Sequence, residues 1–374
     1  MDFIPVNIPL LDGNEKKYLC ECIDTGWISS EGAFVKRFEN EMAAYVGRKY
    51  GIAVCNGTAA LEAAMIALDL EKGSEVIMPA FTIISCAQAI TKAGLTPVVV
   101  DCELDTWNMD VSSIESKITS KTKAIMVVHI YGLPVDMDPV LEIVAKYNLK
   151  LIEDAAEMHG QTYKGKMCGS FGDISIFSFY PNKHITCGEG GMILTDDDKL
   201  AERCRGARNL FFTSTRYRHE EIGSNFRMSN MQAALGCAQL EKLEEHIEKK
   251  RYIGNKYQTA FSDIADIRLP VSQTAYADNI YWVFGMVIGD SYSFGADEAM
   301  KFLAEKGIGT RAFFYPIHKQ PVYVKEGRFS EVSCPNAEKI SERGFYIPSG
   351  LGIIDEQIEY VVSMVLKLFE KASM

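Results

Sequence analysis

A lysine in an uncommon setting is the first residue that could do chemistry. Lys183 lies between the apolar run 174–179 and the glycine-rich segment Gly188-Glu189-Gly190-Gly191. A free lysine is almost fully protonated at neutral pH and therefore a poor nucleophile, but burial or a neighbouring cation favours its neutral amine. Most loop lysines have no such role, so this segment alone leaves the chemistry open.

A carboxylate provides a partner for that lysine. Asp154 follows the apolar run 149–153, and a carboxylate at the end of a buried strand commonly caps the next segment. Combined with a lysine that forms a Schiff base, it has a second interpretation, because it can keep a pyridine nitrogen protonated and make that ring an electron sink. Together the two residues suggest pyridoxal phosphate as the cofactor.

Such a cofactor needs a phosphate-binding site. Asn56-Gly57-Thr58 precedes an alanine-rich helical pattern and offers backbone amides, a hydroxyl and the positive end of a helix dipole. Ser178 could add a hydroxyl from a neighbouring strand. A plain turn at Gly57 and Thr58, and a strand hydroxyl with local partners at Ser178, are the alternatives.

Apolar patterns predict the elements that position these residues. Short runs predict strands at 51–54, 75–78, 97–100, 124–128, 149–153, 174–179 and 192–195. Helical spacing occurs at 13–22, 34–45, 59–68, 82–91, 111–118 and 137–147. Strands that alternate with helices predict a mainly parallel α/β sheet covered on both faces, with ligands at the carboxyl ends of its strands.

A second unit is predicted beyond this sheet. One long helix from Met228 to about Tyr257 is followed by a strand at 281–288, a helix at 297–306, a strand at 310–314 and a final helix at 355–369. We therefore predict a large cofactor-binding domain with an N-terminal entry segment at 1–240, and a smaller α+β domain at 241–374.

Composition excludes some classes of function. The chain of 374 residues has a net charge of −11, which argues against nucleic-acid binding. It lacks a signal-peptide pattern and an apolar run of the roughly 18 residues that span a bilayer, so we expect a cytoplasmic protein with no membrane contact. The ten cysteines and six histidines are dispersed without metal-ligand spacing, and we expect no metal.

Four ordered motifs give the chain a family resemblance. Asn56-Gly57-Thr58-Ala59-Ala60-Leu61, the run 152–157, the run 178–191 around Lys183, and the run 225–234 resemble successive motifs of the DegT/DnrJ/EryC1/StrS nucleotide-sugar aminotransferases. The resemblance covers nearly the whole chain. It implies the type I fold of pyridoxal-phosphate enzymes, with a seven-stranded large-domain sheet.

The resemblance also implies roles for individual residues. Lys183 would be the Schiff-base lysine and proton shuttle, and Asp154 the partner of the pyridine nitrogen. Gly57, Thr58 and Ser178 would bind the phosphate, and Glu157 would lie near the ring hydroxyl. Asn225 would reach the phosphate in the other subunit, so that a homodimer shares two active sites.

The implied substrates are a nucleotide sugar and an amino-acid donor such as L-glutamate. Candidate substrate-binding residues are Trp27, Arg216, Arg311 and His318, and for each of these a solvated surface role is the alternative. Trp27-Ile28-Ser29-Ser30, together with segments at 105–108, 128–132 and 315–318, resembles the branch that aminates C4 of a 4-keto-6-deoxy nucleotide sugar.

Two positions test the resemblance. The family usually has an aromatic residue that stacks on the pyridine ring where this chain has Ile83, a loss of about 1 kcal/mol unless Phe81 substitutes for it. A related branch of sugar 3-dehydratases has histidine at the position of Lys183, whereas here the histidine is the neighbouring His184. Only an amine can release an aminated product, so transfer is favoured over dehydration. Amination at C3 or of another sugar, and a non-catalytic regulator that binds the cofactor, remain open.

Overall fold

The computed structural model describes residues 2–212, 215 and 217–372. Its strands are β1 (Tyr50–Val54), β2 (Glu75–Pro79), β3 (Thr96–Val100), β4 (Thr122–Val128), β5 (Lys150–Asp154), β6 (Thr162–Tyr163), β7 (Lys166–Met167), β8 (Ile174–Ser178), β9 (Gly191–Thr195), β10 (Ile267–Arg268), β11 (Phe284–Ile288), β12 (Arg311–Ala312) and β13 (Gly344–Ile347). The described helices include none with the length and apolarity required to span a membrane.

The α-helices are α1 (Glu15–Thr25), α2 (Ala33–Val46), α3 (Gly57–Leu68), α4 (Ile84–Lys92), α5 (Met137–Tyr147), α6 (Asp198–Arg208), α7 (Asn230–Leu240), α8 (Leu243–Phe261), α9 (Ala296–Glu305), α10 (Pro321–Lys325), α11 (Pro335–Arg343) and α12 (Asp355–Ala372). A further short 3-10 helix covers Ile317–Lys319.

The predicted large sheet is confirmed. Seven strands follow the order β1-β9-β8-β5-β4-β2-β3. Neighbours from β8 to β3 pair in parallel, whereas β9 is antiparallel to both β1 and β8. The carboxyl ends of β1, β5 and β8 therefore meet at one edge of the sheet, where Gly57, Asp154 and Ser178 lie.

Both faces of this sheet are covered, which explains its continuous apolar strands. In β4, Met126 belongs to the core with α3 and α4, whereas Ile125 and Val127 belong to the core with α2 and α7. Alternate side chains thus enter opposite cores. Burial on both sides fixes the register that brings the strand ends together.

A second sheet forms in the C-terminal part, with the order β10-β11-β13-β12 and antiparallel pairing throughout. Its core takes side chains from α8, α9 and α12. Ile4 also enters this core and pairs with Ile308, so the first residues of the chain pack against the smaller unit. The boundary at 240/241 stays a prediction.

Two helix predictions were wrong. The single helix predicted from Met228 to about Tyr257 is two helices, α7 and α8, that meet at Glu241 and Lys242. The Glu241 carboxylate accepts hydrogen bonds from Asn14, Tyr18 and Arg37, which anchor the end of α7.

The helix predicted at 111–118 is two short 3-10 helices, Val111–Ser113 and Glu115–Lys117. Asp110 caps the first of them through its bond to the Ser112 amide.

Candidate active site

A cavity of about 740 Å³ lies at the carboxyl edge of the large sheet. Seven of the predicted residues line it: Gly57, Thr58, Asp154, Glu157, Ser178, Lys183 and Arg311. They come from β5 and the turn that follows it, from β8, from β12, from the start of α3 and from the loop before β9. Elements far apart in the chain thus place these side chains on one cavity.

The start of α3 forms a cradle with the end of β8. Asn56 caps the helix by accepting a hydrogen bond from the Ala59 amide at 2.8 Å. The amides of Gly57 and Thr58 have no partner within the helix, because they belong to its first turn. A Cβ at Gly57 would lie 2.8 Å from Cβ and 3.1 Å from Oγ of Ser178. Glycine is therefore required for this close approach, which leaves two amides and two hydroxyls facing the cavity.

Asp154 is a buried carboxylate with weak partners. Its Oδ1 accepts from the Ala156 amide at 3.0 Å, and its Oδ2 accepts from the Cys86 thiol at 3.3 Å. Burial raises the pKa of Asp154, and no salt bridge among the described residues includes it. The carboxylate can therefore accept one further donor, which a protonated ring nitrogen would supply.

Lys183 lies at the base of the cavity beside Glu157, whose Oε1 is 3.8 Å from Nζ. Burial lowers the pKa of Lys183, whereas the charges of Glu157 and Asp154 oppose that shift. Burial also raises the pKa of Glu157 to about 8, and its Oε2 accepts from the Tyr131 amide at 2.7 Å. Burial therefore makes the neutral, nucleophilic amine of Lys183 easier to form than that of a free lysine.

Trp282 is an active-site residue that the sequence analysis missed. The centroid of its indole ring lies 3.8 Å from Lys183 Nζ, and its Nε1 donates to the Asn182 carbonyl at 2.8 Å. It lies two residues before the start of β11, and its position in a strand-like apolar run gives no signal of contact with Lys183. A tryptophan beside a reactive lysine is recognisable only once the two sheets are packed together.

The position without the usual aromatic is open to the cavity. Ile83 lines the cavity and is 44% exposed. Phe81 does not substitute for the missing ring, because its side chain is buried against Tyr131, Phe313 and Phe314. Phe81 is therefore not available for the stacking role that the sequence left open for it.

Three predicted residues do not line this cavity. Trp27 is exposed beside α2, and its carbonyl accepts from Asn230. His318 is buried, and its Nε2 is 2.9 Å from Glu338. Asn225 pairs with Asn209. Its neighbour in the chain, Phe226, does line the cavity. Arg216 lies outside the described residues.

His184, the neighbour of the lysine, is fully buried, and its Nε2 lies 3.2 Å from the Ile280 carbonyl. His184 therefore has a packing and hydrogen-bonding role.

A second polar cluster lies where the end of β4, the strand β5 and the segment after β7 meet. His129, Glu153 and Cys168 place potential ligand atoms within 4.8 Å of one another. However, His129 Nε2 is 3.0 Å from Glu153, which also accepts the amides of Gly169 and Phe171. These bonds satisfy the carboxylate without an ion, and the cluster is best described as structural. The expectation of no metal stays a prediction.

The cavity fits pyridoxal phosphate in three respects. The cradle at Gly57 offers a phosphate two backbone amides and two hydroxyls, and its close approach to Ser178 leaves no room for a Cβ at position 57. Asp154 forms no salt bridge among the described residues, and Lys183 offers a buried amine. These residues would hold the phosphate, the ring nitrogen and the aldehyde carbon, respectively.

Comparisons with known proteins agree with this geometry. The family model described as the DegT/DnrJ/EryC1/StrS aminotransferase family matches residues 9–366. GDP-perosamine synthase of Escherichia coli O157:H7 is 41% identical over 370 residues, which cover 99% of both chains. GDP-perosamine synthase of Caulobacter vibrioides is 40% identical over 361 residues, or 96% of both chains. The solved structure of S. venezuelae DesV has a TM-score of 0.88 at 32% identity, over 96% of this chain and 94% of that chain.

Proposed function

Because this chain belongs to the DegT/DnrJ/EryC1/StrS aminotransferase family, whose members use pyridoxal phosphate, we propose that it is a GDP-perosamine synthase. In this reaction it transfers an amino group from an amino-acid donor, L-glutamate, to C4 of a GDP-linked 4-keto-6-deoxy sugar. The supporting observation is the placement of Lys183, an amine, in one cavity with Asp154. The similarity to two GDP-perosamine synthases over nearly the full chain supports the choice of nucleotide and ring position.

The bound cofactor supplies an electron-withdrawing ring that stores the amino group between the two half-reactions. The start of α3 and Ser178 would hold its phosphate, and Asp154 would keep its ring nitrogen protonated. Lys183 would be the residue that attaches the cofactor. Its amine then takes a proton from the α-carbon of the donor and later gives a proton to the sugar carbon that receives nitrogen. Glu157 would be the hydrogen-bond partner of the ring hydroxyl, as acceptor or donor according to its protonation.

The substrate would enter past a charged rim. Lys92, Glu62, Glu189 and Arg311 line the cavity, and we propose that Arg311 meets a phosphate of the nucleotide or a carboxylate of the donor. Trp27 and Arg216 keep their proposed substrate roles only as residues offered to the site of a second subunit. The side chain of His318 is buried against Glu338, and we do not propose that it meets the substrate.

We further propose a homodimer with shared active sites. Trp27, Tyr217 and Ile222 are large apolar side chains that are at least half exposed, as expected of a surface that a second copy covers. Asn225 lies beside its own cavity rather than in it, which suits a residue that reaches across an interface.

We also propose a cytoplasmic location, in keeping with the ten free cysteines.

The decisive experiment offers the purified protein a panel of 4-keto and 3-keto nucleotide sugars with L-glutamate. We expect amination at C4 of the GDP-linked 4-keto sugar, identified by mass and NMR. Amination at C3 would replace the proposed position, and loss of a hydroxyl would replace transfer by dehydration. If the cofactor binds and no sugar is aminated, the transferase proposal fails.

Two variants separate catalysis from binding. Lys183→Ala and Lys183→Arg should both abolish transfer, a loss of at least about 100- to 10,000-fold for a general base, although arginine keeps the positive charge. The visible absorbance of the covalently held cofactor should disappear in both. Transfer that survives in Lys183→Arg would show that charge, rather than a reactive amine, is what the site requires. A regulator that only binds the cofactor would show the absorbance in the wild type without turnover.

A further inference from the structure

Lys250 is a buried lysine for which the proposed reaction has no use. It lies on α8 with 1% of its surface exposed, and its Nζ donates to the carbonyls of Trp282 at 2.8 Å and Ser349 at 2.7 Å. No carboxylate pairs with it among the described residues. A lysine is costly to bury without a counter-ion, so two backbone carbonyls alone are an unusual set of partners.

The first of these carbonyls belongs to the tryptophan that contacts Lys183. Trp282 therefore has three attachments: its carbonyl accepts from Lys250, its indole N–H donates to the Asn182 carbonyl, and its ring face lies against Lys183 Nζ. The amine on α8 is thus two contacts away from the reactive amine.

A second residue of α8 contacts the loop that contains Lys183. His246 Nδ1 lies 2.9 Å from the His184 carbonyl. The carbonyls immediately before and after Lys183 therefore both accept hydrogen bonds from ring nitrogens. The second partner of Lys250, Ser349, also accepts from the Phe284 amide at 3.1 Å through its Oγ, which ties the same amine to β11.

We propose that Lys250 is a positioning residue for Lys183: it fixes Trp282 through the Trp282 carbonyl, and Trp282 in turn covers the amine of Lys183 and holds its loop. This inference rests on the proposed role of Lys183 as the reactive amine. It assigns to Lys250 no contact with substrate or cofactor.

The expected consequence of losing Lys250 follows from what surrounds Lys183. The ionisable groups that act on or respond to Lys183 are Glu157, Asp154, Cys86, His159, His184 and Lys250. An indole face attracts an ammonium ion, but burial has the larger effect, since the pKa of Lys183 is lowered despite two nearby carboxylates. A loosened Trp282 would admit water to the amine and favour its protonated form.

The test measures Lys183 in the cofactor-free protein, so its result does not depend on which sugar is the substrate. Reductive methylation by formaldehyde with cyanoborohydride as the reductant is followed at Lys183 by peptide mass spectrometry across a pH series. In Lys250→Met we expect the midpoint of the labelling curve to move to higher pH and the rate at neutral pH to fall by about three- to tenfold. Lys249→Met, one residue earlier on the same helix, should leave the curve unchanged, and Lys250→Arg should restore much of it.

A double-mutant cycle with Trp282→Leu tests the route of the effect. If Lys250 acts through Trp282, the shift in Trp282→Leu should gain little from the addition of Lys250→Met. Additive shifts would overturn the proposal, because Lys250 would then act directly through its charge. An unchanged curve in Lys250→Met would also overturn it. If Lys250→Met does not fold, Trp282→Leu alone decides, since a curve identical to that of the wild type would remove the link to Lys183.

Discussion

The contact between Gly57 and Ser178 allows a quantitative prediction for cofactor binding. In Gly57→Ala the new Cβ would lie 2.8 Å from the Cβ of Ser178, whereas carbon atoms pack best at about 3.5–4.0 Å. The start of α3 and the end of β8 would have to separate by about 0.7–1.2 Å. Overpacking of this kind typically costs about 1–3 kcal/mol.

We expect this cost to fall on cofactor binding, because the displaced groups are those that face the phosphate. The dissociation constant of pyridoxal phosphate should rise by about 5- to 140-fold, at about 1.4 kcal/mol for each factor of ten. The assay is a titration of cofactor-free protein followed by visible absorbance, with thermal unfolding measured in parallel.

Two second-site changes test the steric reasoning. Adding Ser178→Gly to the Gly57→Ala variant removes the atom that the new methyl group would strike and should recover part of the affinity. Adding Ser178→Ala retains that Cβ and should recover none. Equal recovery by both changes, or wild-type affinity in Gly57→Ala alone, would refute the steric argument.

Two further predictions concern the cavity wall. Burial raises the pKa of Glu157 from 4.5 to about 8, so between these values the folded protein binds more protons than the unfolded chain and its stability falls as pH rises. The melting temperature of the cofactor-free wild type should therefore fall between about pH 5 and about pH 8 when it is compared with that of Glu157→Gln. If the two melting temperatures change with pH in the same way, the raised pKa of Glu157 is contradicted. Ile83→Phe should restore ring stacking and tighten cofactor binding by about two- to twelvefold. Ile83→Leu, which adds no ring, should leave binding unchanged, and equal effects of the two variants would exclude stacking as the cause.

The strands of the large sheet and the cavity residues at their ends could be predicted from the sequence because those signals are local. A strand buried on both faces reads as a continuous apolar run, and Asp154 and Ser178 occur where such runs end. Parallel strand ends meet at one edge, so the convergence of these residues required no knowledge of their distances.

Other features depend on contacts that no local pattern reports. Trp282 reaches Lys183 only because the second sheet packs beside the first. The break between α7 and α8 depends on Glu241 binding side chains of α1 and α2, and helical periodicity continues across it. The start of α7 could have been read from the sequence. Ser229 and Gln232 form a capping box, and this spacing places the first residue of the helix at Asn230.

The antiparallel strand β9 has a consequence for how the chain acquires its cofactor during synthesis. Strand β1 is an edge strand whose pairing within the large sheet is with β9 alone, although β9 ends at Thr195, far along the chain. A nascent chain that has not yet exposed Gly191–Thr195 therefore cannot attach β1 to the sheet, and the cradle between α3 and β8 cannot close. Formation of the cradle has to wait for this long-range pairing, which is slow compared with local helix formation. Cofactor capture should thus be a late event on the ribosome, after the residues of the lysine loop have emerged.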